Sequence, residues 1–413
     1  MIENTKDREK FILVAVQTHQ SDEELAASLD ELADLLDTAG GDAVVYVTQV
    51  RESAHPGTYV GKGKLEELKQ LLDAYEADGI VCDDELSPAQ MKNLENELGC
   101  KVMDRTIVIL DIFAGRARTS EGKIQVELAQ LKYNKTRLAG HGLALSRQGG
   151  GIGTRGPGES KIETDRRRIR EREGILNAQL KEVIRHRDTT RKQRERNHET
   201  VAAIVGYTNA GKSTLLNRLT DADVLSEDQL FATLDPTTRA LNLENGQKVL
   251  LTDTVGFIRK LPHHLIDAFR STLEEARYAD IIVHVVDASN PDYRQHMQVV
   301  YDTLRSLGAE GKPVITLFNK ADKLEEVKAH IDPAADRVIN VSARTGLGLE
   351  EFAGALEEIL RKDKIYLDKV FAFSEAGQIQ KIRASGELIS EEYTAEGIHV
   401  TAYVDSQLAG KLQ

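Results

Sequence analysis

The chain is poor in the residues that mark several protein classes. Its 413 residues include no tryptophan, only two cysteines and only eight prolines. Cys82 and Cys100 are too few for a disulfide framework or a four-thiolate zinc site, so we expect two small buried side chains. No apolar run reaches the 18 or so residues of a membrane span, and the charged N-terminus lacks the apolar stretch of a secretory signal. We therefore expect a cytoplasmic protein without stable membrane insertion.

Charge is distributed unevenly along the chain. The formal net charge of −13 argues against non-specific polyanion binding by the whole molecule, DNA included. Residues 147–196 nevertheless hold 15 Lys and Arg against 8 Asp and Glu, which leaves the rest of the chain at about −20. A basic segment in an acidic protein is typical of an arm that faces nucleic acid.

Residues 1–116 alternate short apolar runs with amphipathic helical patterns. The predicted strands are Phe11–Val16, Ala43–Val50, Gly79–Cys82 and Lys101–Met103. The predicted helices are Asp22–Leu36, Lys64–Tyr75 and Pro88–Leu98, the last with Ser87 as its N-cap. This alternation predicts a parallel sheet with helices on its faces, a small α/β domain over 1–116.

Residues 117–197 carry two apolar stripes with mostly seven-residue spacing, separated by a tract over 140–158 that contains 8 glycines. This pattern predicts an antiparallel helical hairpin with a glycine-rich tip. A flexible linker and a solvated charged face would produce the same composition. Against that reading, the tract retains arginines, and the near absence of aromatic residues favours shape and phosphate recognition of folded RNA. The candidate RNA contacts are Arg147, Gly149, Gly150, Gly151, Arg155, Arg166, Arg167 and Arg168.

From residue 198 the strand and helix alternation resumes. The predicted strands are Val201–Val205, Val249–Thr252, Ile281–Val286, Val314–Phe318 and Val338–Val341. They predict a doubly wound sheet over 198–362, closed by the helix Leu349–Leu360. Residues 363–413 predict a small α+β domain of strand, helix with Ser374 as N-cap, strand and strand.

A phosphate-binding loop lies between the first of these strands and the predicted helix Thr214–Leu219. It fits the pattern G-x-x-x-x-G-K-[ST] with Gly206, Tyr207, Thr208, Asn209, Ala210, Gly211, Lys212 and Ser213. Its backbone N–H groups can surround a β-phosphate at the N-terminus of a helix. Lys212 would neutralise β- and γ-phosphate charge, and the Ser213 hydroxyl would bind Mg²⁺.

Three further motifs follow at the ends of later strands. They are Asp253, Thr254, Val255 and Gly256; Asn319, Lys320, Ala321 and Asp322; and Ser342, Ala343 and Arg344. The first supplies a carboxylate behind the Mg²⁺ ligands and a Gly256 N–H for the γ-phosphate. The Asp322 carboxylate can accept from the ring N–H and the amine of guanine, a donor pair that adenine lacks. In the third, a backbone N–H can meet guanine O6. Together they predict a GTPase.

These motifs resemble the translation-factor-related GTPases, and four longer phrases resemble the HflX family of the Obg–HflX GTPases. The phrases are Leu230–Thr237 (LFATLDPT), Tyr59–Leu65 (YVGKGKL), Arg105–Phe113 (RTIVILDIF) and Gly151–Glu159 (GIGTRGPGE). The resemblance covers essentially the whole chain. It implies an N-terminal α/β domain and a helical hairpin ahead of the GTPase domain. It also implies binding to the large ribosomal subunit and its rRNA, and separation of ribosomal subunits in the GTP state under stress.

The same resemblance identifies a switch I segment. It implies nucleotide contacts from Phe231, Ala232, Thr233, Leu234 and Asp235, and a Mg²⁺ contact from Thr233 when GTP is present. By their chemistry alone, Thr237 and Thr238 are competing candidates for the metal ligand.

Phe257 follows the first of the three motifs, where Ras-like GTPases carry the glutamine that orients the attacking water. A phenylalanine cannot polarise water, so we expect slow intrinsic hydrolysis catalysed by Lys212, Gly256 and Asn209. Two remedies stay open. Asn209 resembles the asparagine that coordinates K⁺ in related GTPases, or the ribosome supplies the missing group.

Other readings also stay open. Gly61–Lys64 fits a structural turn, an RNA phosphate contact or a second nucleotide site. The whole chain could instead be a GTP-sensing scaffold for a protein partner, or an ATP-dependent RNA-remodelling enzyme, although Asp322 argues against ATP. His263 and His264 are expected to be ordinary side chains. The sequence does not indicate the oligomeric state, and we favour a monomer.

Overall fold

The computed structural model describes residues 8–146, 157–196, 199–220, 230–262, 265, 270–324, 326, 329–362, 364–404 and 406–412. Packing groups the chain into two compact units. Unit 1 comprises Met1–Arg185, Asp228–Asp235 and Arg259–Ser271; unit 2 comprises His186–Glu227, Pro236–Ile258 and Thr272–Gln413. Two short segments that lie within the GTPase sequence therefore pack as part of unit 1.

Unit 1 contains a four-stranded parallel sheet of order β2-β1-β3-β4. Its strands are β1 Glu9–Gln17, β2 Gly41–Val50, β3 Gly79–Cys82 and β4 Lys101–Asp104, and its first helices are α1 Asp22–Thr38, α2 Lys62–Tyr75 and α3 Pro88–Leu98. β3 is buried along its whole length, as a central parallel strand must be. The predicted parallel sheet with its helices is confirmed.

Two helices of this domain, α1 and α3, begin where side chains satisfy their free backbone N–H groups. Ser21 and Glu24 form a reciprocal capping box at α1, and Ser87 and Gln90 form a second one at α3. Pro88 occupies the first turn of α3, which confirms the predicted start. Cys82 is buried and Cys100 is half-buried, and both are free thiols.

Three further helices follow in unit 1, and the last part of the third belongs to unit 2. They are α4 Arg105–Arg116, α5 Ser120–Ser146 and α6 Pro157–Arg196. Ion pairs join α5 to α6, from Glu127 to Arg172 at 2.6 Å and from Glu173 to Lys135 at 2.6 Å. The predicted glycine-rich tip over 140–158 is helical at both ends, because α5 continues to Ser146 and α6 begins at Pro157. The rest of the tip, residues 147–156, lies outside the described residues, and with it lie Arg147, Gly149, Gly150, Gly151 and Arg155.

Unit 2 contains a six-stranded sheet of order β10-β9-β8-β5-β7-β6. Its strands are β5 Thr200–Gly206, β6 Thr237–Asn242, β7 Lys248–Asp253, β8 Ile281–Asp287, β9 Val314–Asn319 and β10 Arg337–Asn340. Its helices are α7 Lys212–Thr220, α8 Arg270–Tyr278, α9 Tyr293–Leu307 and α10 Leu349–Lys362. All five predicted strands are present and parallel. The sixth strand, β6, pairs antiparallel with β7 and was not predicted, because it is a polar, largely accessible edge strand.

The C-terminal part of unit 2 is a three-stranded antiparallel sheet of order β11-β13-β12. Its elements are β11 Ile365–Phe371, α11 Ala376–Ser385, β12 Glu387–Thr394, β13 Gly397–Val404 and α12 Ser406–Leu412. Phe371, Ile382 and Val400 anchor its core. Ser374 is not the predicted N-cap: it lies in a 3₁₀ turn, and the N-cap residue of α11 is Glu375, without a side-chain cap. The last helix, α12, was also not predicted.

Candidate nucleotide-binding site

The phosphate-binding loop joins β5 to α7, as its sequence predicts. Asn209 and Gly211 adopt positive φ angles of 59° and 93°. A side chain at Gly211 would collide with the amide of Asn319, so this position requires glycine twice over, for its φ angle and for space. The loop therefore turns tightly and presents backbone rather than side chains at the start of α7.

Lys212 is the buried cation of this loop. The residue is only 7% exposed, and its Nζ donates to the Tyr207 carbonyl at 2.8 Å. Burial lowers the pKa of Lys212 to about 8, and the Asp253 carboxylate only partly opposes that effect. The ammonium is therefore held in a place where an anionic ligand would stabilise its charge.

Ser213 and Asp253 meet behind the loop. The Ser213 hydroxyl donates to Oδ2 of Asp253 at 2.7 Å, and both residues are buried. A hydroxyl oxygen beside a carboxylate oxygen, at a helix N-terminus, is the oxygen-only donor set that suits Mg²⁺. The residues present thus fit the metal that the sequence motif implies.

The Asp253–Gly256 segment is locked to the phosphate-binding loop through main-chain bonds. The Thr208 N–H donates to the Phe257 carbonyl at 2.8 Å, and the Phe257 N–H donates to the Gly206 carbonyl at 3.1 Å. A Cβ at Gly256 would lie 2.8 Å from Cγ2 of Thr208, so only glycine fits. Phe257 itself is 1% exposed, and its ring belongs to the core. The sequence expectation that this residue does not orient water agrees with its burial.

Asn319 and Asp322 of the guanine motif have different surroundings. Asn319 donates to the Ala210 carbonyl at 2.8 Å and accepts from the Ala343 N–H at 2.9 Å, so it ties the phosphate-binding loop to the Ser342–Arg344 segment. Asp322 is exposed and accepts from the Ser342 hydroxyl at 2.6 Å. That hydrogen bond holds the pKa of Asp322 below its usual range. The carboxylate is therefore ionised and open to a donor pair such as that of guanine.

A positive φ angle and an ion pair fix Lys320 of the guanine motif. Lys320 has a positive φ of 63°, and its Nζ bonds Asp287 at 2.7 Å, so its side chain follows the sheet edge. Ala321 and Ala343 are buried, whereas Arg344 is exposed. The sequence did not reveal the tie that Asn319 makes, because a motif shows which groups face the ligand and not which groups hold the loops together.

The switch I segment lies in unit 1. Phe231 and Leu234 are buried there, while Ala232, Thr233 and Asp235 are partly exposed. The Asp235 side chain accepts hydrogen bonds from residues at the start of α5, a position that the sequence did not predict. Of the competing threonines, Thr238 shares a hydroxyl hydrogen bond with Thr252 inside the sheet at 2.9 Å.

The candidate RNA-contacting residues that the structure describes lie on α6. Arg167 and Arg168 are exposed and Arg166 is partly exposed. The ion pairs of Arg167 with Glu171 and of Arg168 with Asp165 are loose, at 3.8 and 3.9 Å. These guanidinium groups remain accessible to an external anion.

Gly61 stabilises the loop before α2 through its backbone N–H and its lack of a side chain. Its N–H donates to Oε1 of Gln49 at 2.8 Å, and a Cβ there would lie 2.8 Å from Nη1 of Arg51. Lys64 pairs with Glu67 at 2.7 Å. These contacts favour the reading of this segment as a structural turn. His263 and His264 lie outside the described residues.

Comparisons with known proteins agree with this geometry. Three family models match: GTP-binding GTPase N-terminal over residues 26–114, GTP-binding GTPase Middle Region over 116–194, and 50S ribosome-binding GTPase over 201–320. Among solved structures, SsGBP in complex with GDP aligns at 25% identity and a TM-score of 0.47, over 85% of this chain and 98% of that chain. A TM-score at that level adds no weight to the assignment.

Curated relatives match over the full length. GTPase HflX of Lacrimispora saccharolytica is 60% identical over 100% of this chain and 97% of its own length. GTPase HflX of Caldanaerobacter subterraneus subsp. tengcongensis is 48% identical over 100% of this chain and 95% of its own length. No described helix is both long and apolar enough to cross a membrane. The phosphate-binding loop, the guanine motif and this identity across the whole chain make the protein a GTPase that belongs to the HflX family.

Proposed function

We propose that this GTPase binds the large ribosomal subunit and separates ribosomal subunits when it holds GTP. The observation that carries the proposal is the set of accessible arginines on α6, in a chain that also carries the guanine-nucleotide motifs. The description of the family model on residues 201–320, a 50S ribosome-binding GTPase, supports the same partner. The glycine-rich tip over 140–158 and Arg166–Arg168 would contact rRNA phosphates, in the cytoplasm.

In the proposed cycle, Mg²⁺ would be held by Ser213 and by Thr233 of switch I. When bound, Mg²⁺ would supply positive charge that offsets the charge of the nucleotide phosphates. Lys212 adds its ammonium to the same phosphates, and the Gly256 N–H donates to the γ-phosphate. Ordering by GTP of switch I and of the segment that follows Gly256 would then favour the ribosome-bound form, and hydrolysis would release it.

Intrinsic hydrolysis is expected to be slow, because Phe257 is buried and cannot orient water. We propose that the ribosome supplies the missing group, so that large subunits raise kcat. The alternative route uses K⁺ at Asn209, which is exposed in the loop with a φ of 59°. Turnover of Asn209→Ala compared in K⁺ and Na⁺ separates the two routes, because only the K⁺ route predicts that the variant loses a K⁺ preference.

Sedimentation of intact 70S ribosomes tests the function directly. The protein with GTP or a non-hydrolysable analogue is expected to shift 70S particles to free subunits, whereas the GDP form is not. If 70S particles remain intact in every nucleotide state, the splitting function is wrong. Binding to 50S particles without splitting would leave only a ribosome-associated GTPase.

The role of α6 requires a matched control. Replacing Arg166, Arg167 and Arg168 by Ala should weaken 50S binding and lower the slope of log affinity against log salt by about 2 to 3, because up to three phosphate contacts are lost. Replacing three exposed arginines of unit 2, Arg305, Arg337 and Arg383, should change neither quantity. Equal effects of the two triple variants would mean that only net charge matters.

A further inference from the structure

Asp235 of switch I is anchored on the first turn of α5. Its Oδ2 accepts from the backbone N–H groups of Arg118 at 3.0 Å and Thr119 at 2.9 Å, and its Oδ1 accepts from the Thr119 hydroxyl. The Thr119 hydroxyl in turn accepts from the Gly122 N–H at 3.0 Å. A carboxylate at a helix N-terminus is stabilised by these free N–H groups and by the helix dipole.

Gly122 makes room for this contact. A Cβ on Gly122 would collide with Oδ1 of Asp235. Gly122 lies in the first turn of α5, where glycine costs at most about 1 kcal/mol relative to alanine, the cost in a helix interior. Gly174 in α6 differs, because nothing lies within 4 Å of the Cβ it lacks. The two helical glycines therefore form a natural pair of test and control.

Anchors flank Thr233 on both sides. The Phe231 ring packs edge-on against Phe113, with centroids 4.7 Å apart and an interplanar angle of 77°. Phe231 is 2% exposed and keeps a positive φ of 53°, a conformation that a non-glycine residue adopts only when its surroundings hold it. Leu234 is also 2% exposed. The backbone of Thr233 therefore lies between the packed ring of Phe231 and the hydrogen-bonded carboxylate of Asp235.

We propose that Asp235 is a positioning residue for GTP hydrolysis. Asp235 accepts hydrogen bonds from Thr119 in the space that Gly122 leaves open. These contacts fix the backbone of switch I, so that the Thr233 hydroxyl is presented to Mg²⁺ with GTP. The inference rests on the proposed Mg²⁺ role of Thr233. Asp235 itself does not touch the nucleotide in this scheme, which differs from the contact expected from the sequence.

Gly122→Ala and Asp235→Asn test the proposal, with Gly174→Ala as the matched control. Gly122→Ala is expected to lower kcat about tenfold and to raise the Mg²⁺ concentration that half-saturates hydrolysis by a similar factor, because one charge-assisted hydrogen-bond set is lost. GDP affinity should stay unchanged, since GDP has no γ-phosphate for switch I to meet. Gly174→Ala should leave kcat, Mg²⁺ dependence and GDP affinity at the parent values.

Each outcome is informative. A purely structural role for Gly122 predicts a change in thermal stability with unchanged kcat and Mg²⁺ dependence, and that result would overturn the proposal. A rise in kcat would also overturn it, because the contact would then restrain switch I rather than position it.

Thr233→Ala, measured in parallel, separates this inference from the proposed function. If Thr233→Ala raises the Mg²⁺ requirement and Asp235→Asn does not, the positioning role fails while the metal role stands. If Thr233→Ala leaves the Mg²⁺ requirement unchanged, the metal role of Thr233 is wrong, and the positioning role falls with it.

Discussion

Lys212 in unit 2 and Lys260 in unit 1 differ in what neutralises them. Lys212 is buried, its described hydrogen bond goes to a carbonyl, and its pKa is lowered to about 8. Nζ of Lys260 lies 2.5 Å from Oδ2 of Asp83 and 2.7 Å from Oδ1 of Asp84. The protein itself neutralises Lys260, whereas it leaves the charge of Lys212 for a ligand.

Asp322 and Asp235 show the same contrast with the opposite charge. Asp322 is exposed and accepts one described hydrogen bond, from Ser342. Asp235 accepts from two N–H groups and a hydroxyl. Among these four residues, Lys212 and Asp322 of the candidate nucleotide site have one described hydrogen bond each. Asp235 and Lys260 each have several described partners and anchor the segments in which they lie. The four predictions that follow test this distinction.

The largest effect is expected for Lys212→Met. The affinity for GTP should fall about 10³-fold, because the ammonium that faces the phosphates is removed from a buried site. The nucleotide-free protein should become more stable by about 3 kcal/mol, because the lowered pKa means that folding disfavours the charged lysine. Calorimetric titration and chemical denaturation measure the two quantities. A less stable variant would contradict the contrast, and Lys362→Met, at an exposed lysine, is the control.

Asp322→Asn should lower the affinity for GTP about 10²-fold. The amide cannot accept from both guanine donors, so a donor of the base is left unpaired. Xanthosine triphosphate, which offers a carbonyl in place of the guanine amine, should lose much less or gain. Competition binding with the two nucleotides measures the preference. Asp302→Asn, an exposed carboxylate on α9, should change neither affinity, and equal affinity losses for both nucleotides in Asp322→Asn would contradict a base-reading role.

Lys260→Met should destabilise unit 1 by about 2 kcal/mol, because it leaves two carboxylates short of a partner in a partly buried site. Burial alone would raise the pKa of Asp83, but Arg105 and Lys260 outweigh it and keep that pKa below its usual range. Arg105 also holds Glu31 at 2.7 Å.

Hydrogen exchange of the β3 amides measures the stability of unit 1. Lys69→Met removes a more exposed lysine whose partners, Glu66 and Glu97, are also exposed, and it should cost less than about 0.5 kcal/mol. GDP affinity should be unchanged in Lys260→Met. If that variant loses nucleotide affinity but not stability, Lys260 belongs to the site rather than to an anchor.

Much of the nucleotide site could be predicted from the sequence because its chemistry is local. Gly206–Ser213 specify a loop, a helix start and a cation within eight consecutive residues, and each later motif follows a buried apolar strand. Parallel strands such as β8 and β9 are continuous apolar runs, which a period-based reading recognises.

The anchors could not be predicted, because they depend on long-range partners. Asp235 and Thr119 are 116 residues apart, and Lys260 and Asp83 are 177 residues apart. The sequence around Asp235 or Lys260 does not show whether the charged side chain contacts a partner within the protein or faces solvent. The edge strand β6 also could not be predicted, because its sequence has a weak strand pattern and its pairing with β7 stabilises it.

The smallest effect is the pH dependence of nucleotide affinity. The pKa of Lys212 is about 8 in the nucleotide-free protein, and bound phosphate raises it because the anion stabilises the ammonium. The affinity for GTP should therefore be constant below pH 7 and about tenfold weaker at pH 9 than at pH 7. The stability of the nucleotide-free protein should change in the opposite direction. Because the folded pKa lies below the unfolded value, the unfolded chain binds more protons between about pH 8 and 10.5, and this lysine contributes increasing stability as the pH rises through that window.

The guanine base also begins to lose its ring proton near pH 9, so the decline needs a probe without a base. Inorganic triphosphate as its Mg²⁺ complex, which has already lost its last proton in this pH range, would meet the lysine but not Asp322; it is allowed to compete with a fluorescent guanine nucleotide at each pH. Its affinity should fall with the same midpoint near pH 8 as that of GTP. Affinity for triphosphate that stays flat to pH 9, while GTP binding declines, would assign the titration to the base. It would also mean that Lys212 keeps its charge without a ligand, which contradicts the contrast with Lys260.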